Sequence, residues 1–129
     1  ALSHQSINKV SEDITVPPAE MTHFLNELSS LVLPYKGVGY GHLGDGNIHV
    51  NVMVEDIHIE DNRVRSDEAL DRLFKEVISM DGVVSGEHGI GIAKKKWFEQ
   101  ALNQEAIELH KRLKDVLDPK SVLNPGKFL

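Results

Sequence analysis

The feature that most constrains this chain is a pair of extended runs, residues 38–43 and 48–54, on either side of Gly44-Asp45-Gly46-Asn47. An Asp-Gly pair between two such runs is a strong hairpin signal, because both residues tolerate the left-handed backbone of a tight turn. In the second run Ile48, Val50, Val52 and Val54 alternate with His49, Asn51 and Met53. A period of two puts the aliphatic set on one face of a strand and the polar set on the other. A turn symmetric about Asp45-Gly46 sets Leu43 opposite Ile48 in the core. It also sets His42 opposite His49 on the other face, with Cβ atoms about 4.5–5.5 Å apart.

Helical and extended patterns alternate around this hairpin. Residues 10–16 read as a short strand, and Pro17-Pro18 opens a helix. Met21, Phe24, Leu25, Leu28, Leu31 and Val32 then fall along one helical face. The charged residues 55–63 read as a loop. Ser66 is placed to cap a second helix, with Asp67 and Glu68 in its first turn and Leu70, Leu73, Phe74, Val77 and Ile78 as its buried stripe. A short strand is expected at residues 83–85. A last helix, from about Asn103 to Leu117, is expected to bury Ala106, Leu109, Leu113, Val116 and Leu117. Residues 1–9 read as an unpatterned lead-in. The 129 residues fit one domain. The order of elements predicts an α+β fold, an antiparallel sheet with helices packed on one face.

Composition narrows the function. A net charge of -6 argues against a nucleic-acid surface, which would normally show a basic patch. The lack of cysteine excludes disulfides, thiolate nucleophiles and Cys-ligated metals, and it agrees with a reducing cytoplasm, where the chain is expected to act. There is no apolar run long enough for a transmembrane segment. The first residues lack the basic-then-hydrophobic pattern of a signal peptide.

Two imidazoles on one face of a hairpin can share a metal ion. The best third ligand is Glu87, within Gly86-Glu87-His88-Gly89-Ile90-Gly91. Two histidines and a carboxylate suit zinc, iron or manganese with positions left open, and the residues alone do not choose between a zinc hydrolase and an iron oxygenase. Each residue also has a plainer reading. An isolated histidine is more often a surface residue, Glu87 alone would be a solvated carboxylate, and His88 alone a turn residue. His4, His23, His58 and His110 read as surface positions, Asp45 and Asn47 as turn formers, and Lys94-Lys95-Lys96 as a solvated face.

Three segments then carry a resemblance. They are Gly41-His42-Leu43-Gly44-Asp45-Gly46-Asn47-Ile48-His49-Val50-Asn51, Ser85-Gly86-Glu87-His88-Gly89-Ile90-Gly91, and Leu123-Asn124-Pro125-Gly126-Lys127. Together they resemble the histidine hairpin, the second signature and the C-terminal ending of the FAD-linked oxidases. That family includes glycolate oxidase, D-lactate dehydrogenase and D-2-hydroxyglutarate dehydrogenase. The resemblance runs from about residue 10 to the end and implies the ferredoxin-like half of the family's cap domain. It implies that His42, His49 and Glu87 hold a divalent metal, commonly zinc or manganese. It implies His88 as the base, Asn51 at the substrate and Asn124 close to the flavin.

The implied function is the substrate- and metal-binding C-terminal portion of an FAD-dependent dehydrogenase of glycolate or D-lactate type, oxidising a 2-hydroxy acid to a 2-oxo acid. FAD would be held mainly by an FAD-binding domain or subunit, for which 129 residues leave no room. The chain, whether an excised fragment or a separate subunit, is therefore expected to be inactive alone, and self-association into a homo-oligomer is left open. Ser11 stands where some relatives with dicarboxylic substrates carry a lysine, which lowers the expectation of a 2-hydroxyglutarate-type substrate. One tension concerns Glu87 and His88, since adjacent residues of an extended strand point apart. The competing readings are a non-catalytic assembly module and a stand-alone metallohydrolase.

Overall fold

A computed structural model of the chain describes residues 8–56 and 58–127; the expectations for residues 1–7, His4 included, lie outside this range. The elements are β1 (Asn8–Thr15), a 3-10 turn (Pro18–Glu20), α1 (Met21–Leu31), β2 (Lys36–His42), β3 (Asn47–Val54), α2 (Glu60–Ser79), α3 (Lys95–Ala101) and α4 (Gln104–Leu117). The sheet has the order β1-β3-β2, with β3 antiparallel to both neighbours. The fold is therefore α+β. β1, α1 and β2 make a crossover into which β3 is inserted as the central strand, a split β-α-β arrangement. Ile48, Val50, Val52 and Val54 are buried in one core cluster with Phe24 and Leu28 of α1 and Leu73, Phe74 and Val77 of α2. Trp97 of α3 extends this core. Its ring stacks on Phe74 at 4.1 Å between centroids, and its indole N–H donates to Asp71 at 2.7 Å.

The hairpin forms with a different register from the one expected. His42 pairs with Asn47, Gly41 with Ile48 and Tyr40 with His49. The turn is thus the four residues 43–46, centred on Gly44-Asp45. Leu43 is not a core residue but sits in the turn, 75% exposed. Two details hold this register. The Asp45 carboxylate accepts the Asn47 N–H at 3.2 Å. Gly46 has φ +76°, and a Cβ there would lie 2.0 Å from the Val16 carbonyl oxygen, so no other residue fits. The inward positions of β2 are Gly37, Gly39 and Gly41, opposite Val52, Val50 and Ile48. This strand therefore shows no aliphatic alternation from which register could be read.

Four other expectations are corrected. α2 begins at Glu60, six residues before Ser66, which is buried inside the helix. Glu60 and Asp61 favour the helix N-terminus, and Arg63 pairs with Glu60 and Asp67 along the first turns. Residues 83–85 form no strand, only a single bridge from Val83 to Thr15. Lys94 is not on a solvated face but is 6% exposed. Finally, α4 forms as expected, capped by the Asn103 side chain on the Ala106 N–H at 2.8 Å, yet it buries none of its residues. Leu109, Leu113, Val116 and Leu117 are all exposed, because no described element packs against that stripe closely enough to cover it.

Candidate metal centre

The outer face of the sheet, turned away from α1 and α2, carries the polar residues. The register sets them in rows across β1, β3 and β2: Ser11, Asn51 and Val38; then Asp13, His49 and Tyr40; then Thr15, Asn47 and His42. The register differs from the expected one by an even number of residues, so both histidines keep the same face. They are diagonal rather than directly opposed, with ring centroids 6.3 Å apart at 78°.

Glu87 fills the diagonal. Its Oε1 lies 4.0 Å from His42 Nε2, and its Oε2 lies 3.8 Å from His49 Nε2. One ligand atom from each of His42, His49 and Glu87 lies within 4.8 Å of the others. Donors about 2.0–2.2 Å from one tetrahedral ion stand about 3.4 Å apart. Closing the two carboxylate–imidazole distances by roughly half an ångström, and the widest donor pair by up to about 1.4 Å, would let these residues hold a divalent ion. His49 is mostly covered, whereas the side chains of His42 and Glu87 are 64% and 49% exposed. The open side leaves room for further ligands from a substrate.

His88 joins the same site. Its ring lies 5.4 Å from that of His49, tilted by 25°. Glu87 and His88 thus both approach His49, although they are adjacent in sequence. The cause is Asp13. Its Oδ2 accepts the Ser85 hydroxyl at 3.0 Å, the Glu87 N–H at 2.6 Å and the His88 N–H at 2.9 Å. Gathering three donors on one oxygen bends residues 86–88 across the end of β1. Burial pushes the Asp13 carboxyl upward, but the Glu87 and His88 N–H groups, the Ser85 hydroxyl and the charge of Lys94 outweigh it and bring it down from 3.8 to about 2.

Lys94 ties the same corner from behind. Its ammonium donates to the backbone oxygens of Asp13 at 2.7 Å and Val84 at 2.9 Å, and it lies 3.4 Å from the Glu12 carboxylate. Burial raises the Glu12 pKa, and Lys94 opposes that rise. Asp13 was not singled out from the sequence, and Lys94 was read there as part of a solvated face. The available signal was Glu12, an acid at the inward position between Val10 and Ile14 of β1, where a buried charge needs a cation.

Asn51 lies two residues from His49 on the same face and accepts the Ser11 hydroxyl at 2.8 Å. A cavity of about 280 Å3 opens beside His88, walled by Ser11, Glu12 and residues 89–94. Asn124 stands elsewhere, in the turn after α4 with φ 47°, where its carbonyl accepts the Lys127 N–H. It lines a separate cavity of about 300 Å3 with Lys111 and Lys114.

Residues 1–128 match the family of FAD linked oxidases, C-terminal domain. The chain belongs to this family. It is 34% identical over 130 residues to glycolate oxidase subunit GlcD of Bacillus subtilis, covering 99% of this chain and 27% of that protein. It is 36% identical over 121 residues to the D-2-hydroxyglutarate dehydrogenase of Xanthomonas citri pv. viticola, covering 90% and 26%. It is 38% identical over 123 residues to the D-lactate dehydrogenase of Archaeoglobus fulgidus, covering 91% and 26%. This FAD-linked oxidase domain therefore spans about a quarter of the length of these relatives. They are oxidoreductases, and none supports the assembly module or the metallohydrolase. No helix among the described residues is long and apolar enough to cross a membrane.

Proposed function

We propose that this domain is the substrate- and metal-holding part of an FAD-dependent 2-hydroxy-acid dehydrogenase of glycolate or D-lactate type, whose product is a 2-oxo acid. The observation that carries this is the convergence of His42, Glu87 and His88 on His49 at one exposed face. His42, His49 and Glu87 would hold zinc or manganese. A metal held there would supply acidification of the hydroxyl of a 2-hydroxy acid, and the flavin would serve as the hydride acceptor for its α-carbon. His88, stacked against His49, would take the hydroxyl proton as general base. Asn51 has its carbonyl oxygen engaged by Ser11, which leaves its amide N–H donors for the substrate carboxylate. Asn124, in the turn after α4, would stand near the flavin.

The FAD-binding domain or subunit is the partner we assign to the bare apolar stripe of α4. Leu109, Leu113, Val116 and Leu117 form a repeating apolar face that nothing described covers. A contiguous patch of that kind usually marks an interface.

The test is metal content and affinity of the 129-residue chain by equilibrium dialysis with Zn2+ and Mn2+, alongside His42→Ala and Glu87→Ala. Stoichiometric binding by the parent, lost in both folded variants, is expected. Binding that survives either variant would remove that residue from the ligand set. Turnover of 2-hydroxy acids by the chain alone would contradict the assignment of the flavin site to a partner.

A further inference from the structure

We infer that Asp13 is the positioning residue of this site: it seats residues 85–88 on the sheet and thereby sets where Glu87 and His88 stand relative to His49. The inference rests on the proposed roles of Glu87 as ligand and His88 as base.

Asp13 is the β1 partner of His49, on the same face of the sheet. Its side chain is fully buried. One carboxylate oxygen takes the Glu87 and His88 N–H groups together with the Ser85 hydroxyl. Two successive backbone N–H groups on one anion make a concave seat that fixes both residues at once. Lys94 clamps the strand to the start of the same loop through the carbonyls of Asp13 and Val84.

The second oxygen, Oδ1, decides between anchoring and positioning. It is buried and has no hydrogen-bond partner among the described residues. Leaving a buried carboxylate oxygen bare is costly. A loop anchor alone would be served as well by a neutral side chain. A buried negative charge on the strand paired with His49 holds two successive N–H groups more firmly than a neutral oxygen would, which suits positioning. Asp13 thus acts on the site through the loop that carries Glu87 and His88.

The experiment uses the full 129-residue chain with Asp13→Asn, which keeps size and removes charge. The first readout is the NMR cross-relaxation between the His49 and His88 rings, which needs no metal. The second is Co2+ titration followed by its visible absorption bands. Loss of the ring contact, with the rest of the spectrum dispersed as in the parent, is expected, together with at least about tenfold weaker Co2+ binding and altered bands. Retention of the ring contact and of the parent's bands would overturn the inference.

If the parent itself binds no Co2+, the ligand reading fails, while the ring contact in Asp13→Asn still decides the positioning. If Asp13→Asn does not fold, Gly86→Ala breaks the contact from the loop side. A Cβ there would meet Thr15 Oγ1 at 2.7 Å and the Asn47 side chain at 3.1 Å. Free exchange of the Glu87 and His88 amides in that variant, with ring contact and Co2+ affinity at parent values, would likewise overturn it. Loss of both would support it.

Discussion

Acid should remove a defined increment of stability from the parent chain and not from Asp13→Asn. In the folded protein the donors around Asp13 hold its carboxyl at about 2, against 3.8 when free. The folded value is the lower one, so folding favours the ionised form. The contribution is fully present above about pH 5 and is lost as pH falls through 3.8 toward 2. At 1.36 kcal/mol per tenfold change in affinity for the proton, the difference is worth about 2.4 kcal/mol. The loop over Asp13 faces water on its far side, and screening there trims the net to about 1–2 kcal/mol. The assay is urea unfolding of parent and variant at about pH 6 and about pH 2.5, comparing midpoints at equal slope. At about pH 2.5, still above the folded value, about two-thirds of this contribution is lost, so the stability gap between parent and variant should narrow by about 1 kcal/mol. A gap that stays constant would refute the account of Asp13 as an ionised, hydrogen-bonded anchor.

Three further outcomes are expected. Trp97→Ala removes the stack on Phe74 and the bond to Asp71, and should cost about 3–5 kcal/mol in urea unfolding. Gly46→Ala should cost about 1–3 kcal/mol, because its Cβ meets the Val16 carbonyl and its backbone is left-handed; parent stability would refute the turn geometry. Leu113→Asp on the bare face of α4 should shift stability by no more than about 0.5 kcal/mol, whereas Leu73→Ala in the core should cost about 2–5 kcal/mol; equal losses in thermal unfolding would mean that the α4 stripe is buried after all.

Local pattern in the sequence was enough to place the hairpin, α1, the body of α2 and α4. These rest on periodicity, and the side chains of β3 alternate cleanly enough to assign each residue to a face. His42, His49 and Glu87 were legible for a related reason. Parity along β3 and an even shift in register keep both histidines on one face, and the glycines around Glu87 marked an unusual loop. The start of α2 was missed because its first turn is held by charge pairs rather than by an apolar stripe.

What the sequence by itself determined, then, is which residues share a face and which stretches are helical or extended, because those follow from backbone periods of about 3.6 and 2. Tertiary structure alone decided the rest. The register of β2 was hidden because its inward residues are glycines. The apolar stripe of α4 reads like any core stripe, and only the arrangement of the other elements shows that none of the described residues covers it. The convergence of Glu87 and His88 depends on Asp13, more than seventy residues earlier in the chain. A hydrogen bond across that span leaves no periodic trace in sequence, since it is made by the ladder that brings β1 beside β3 and by the loop that folds back onto it.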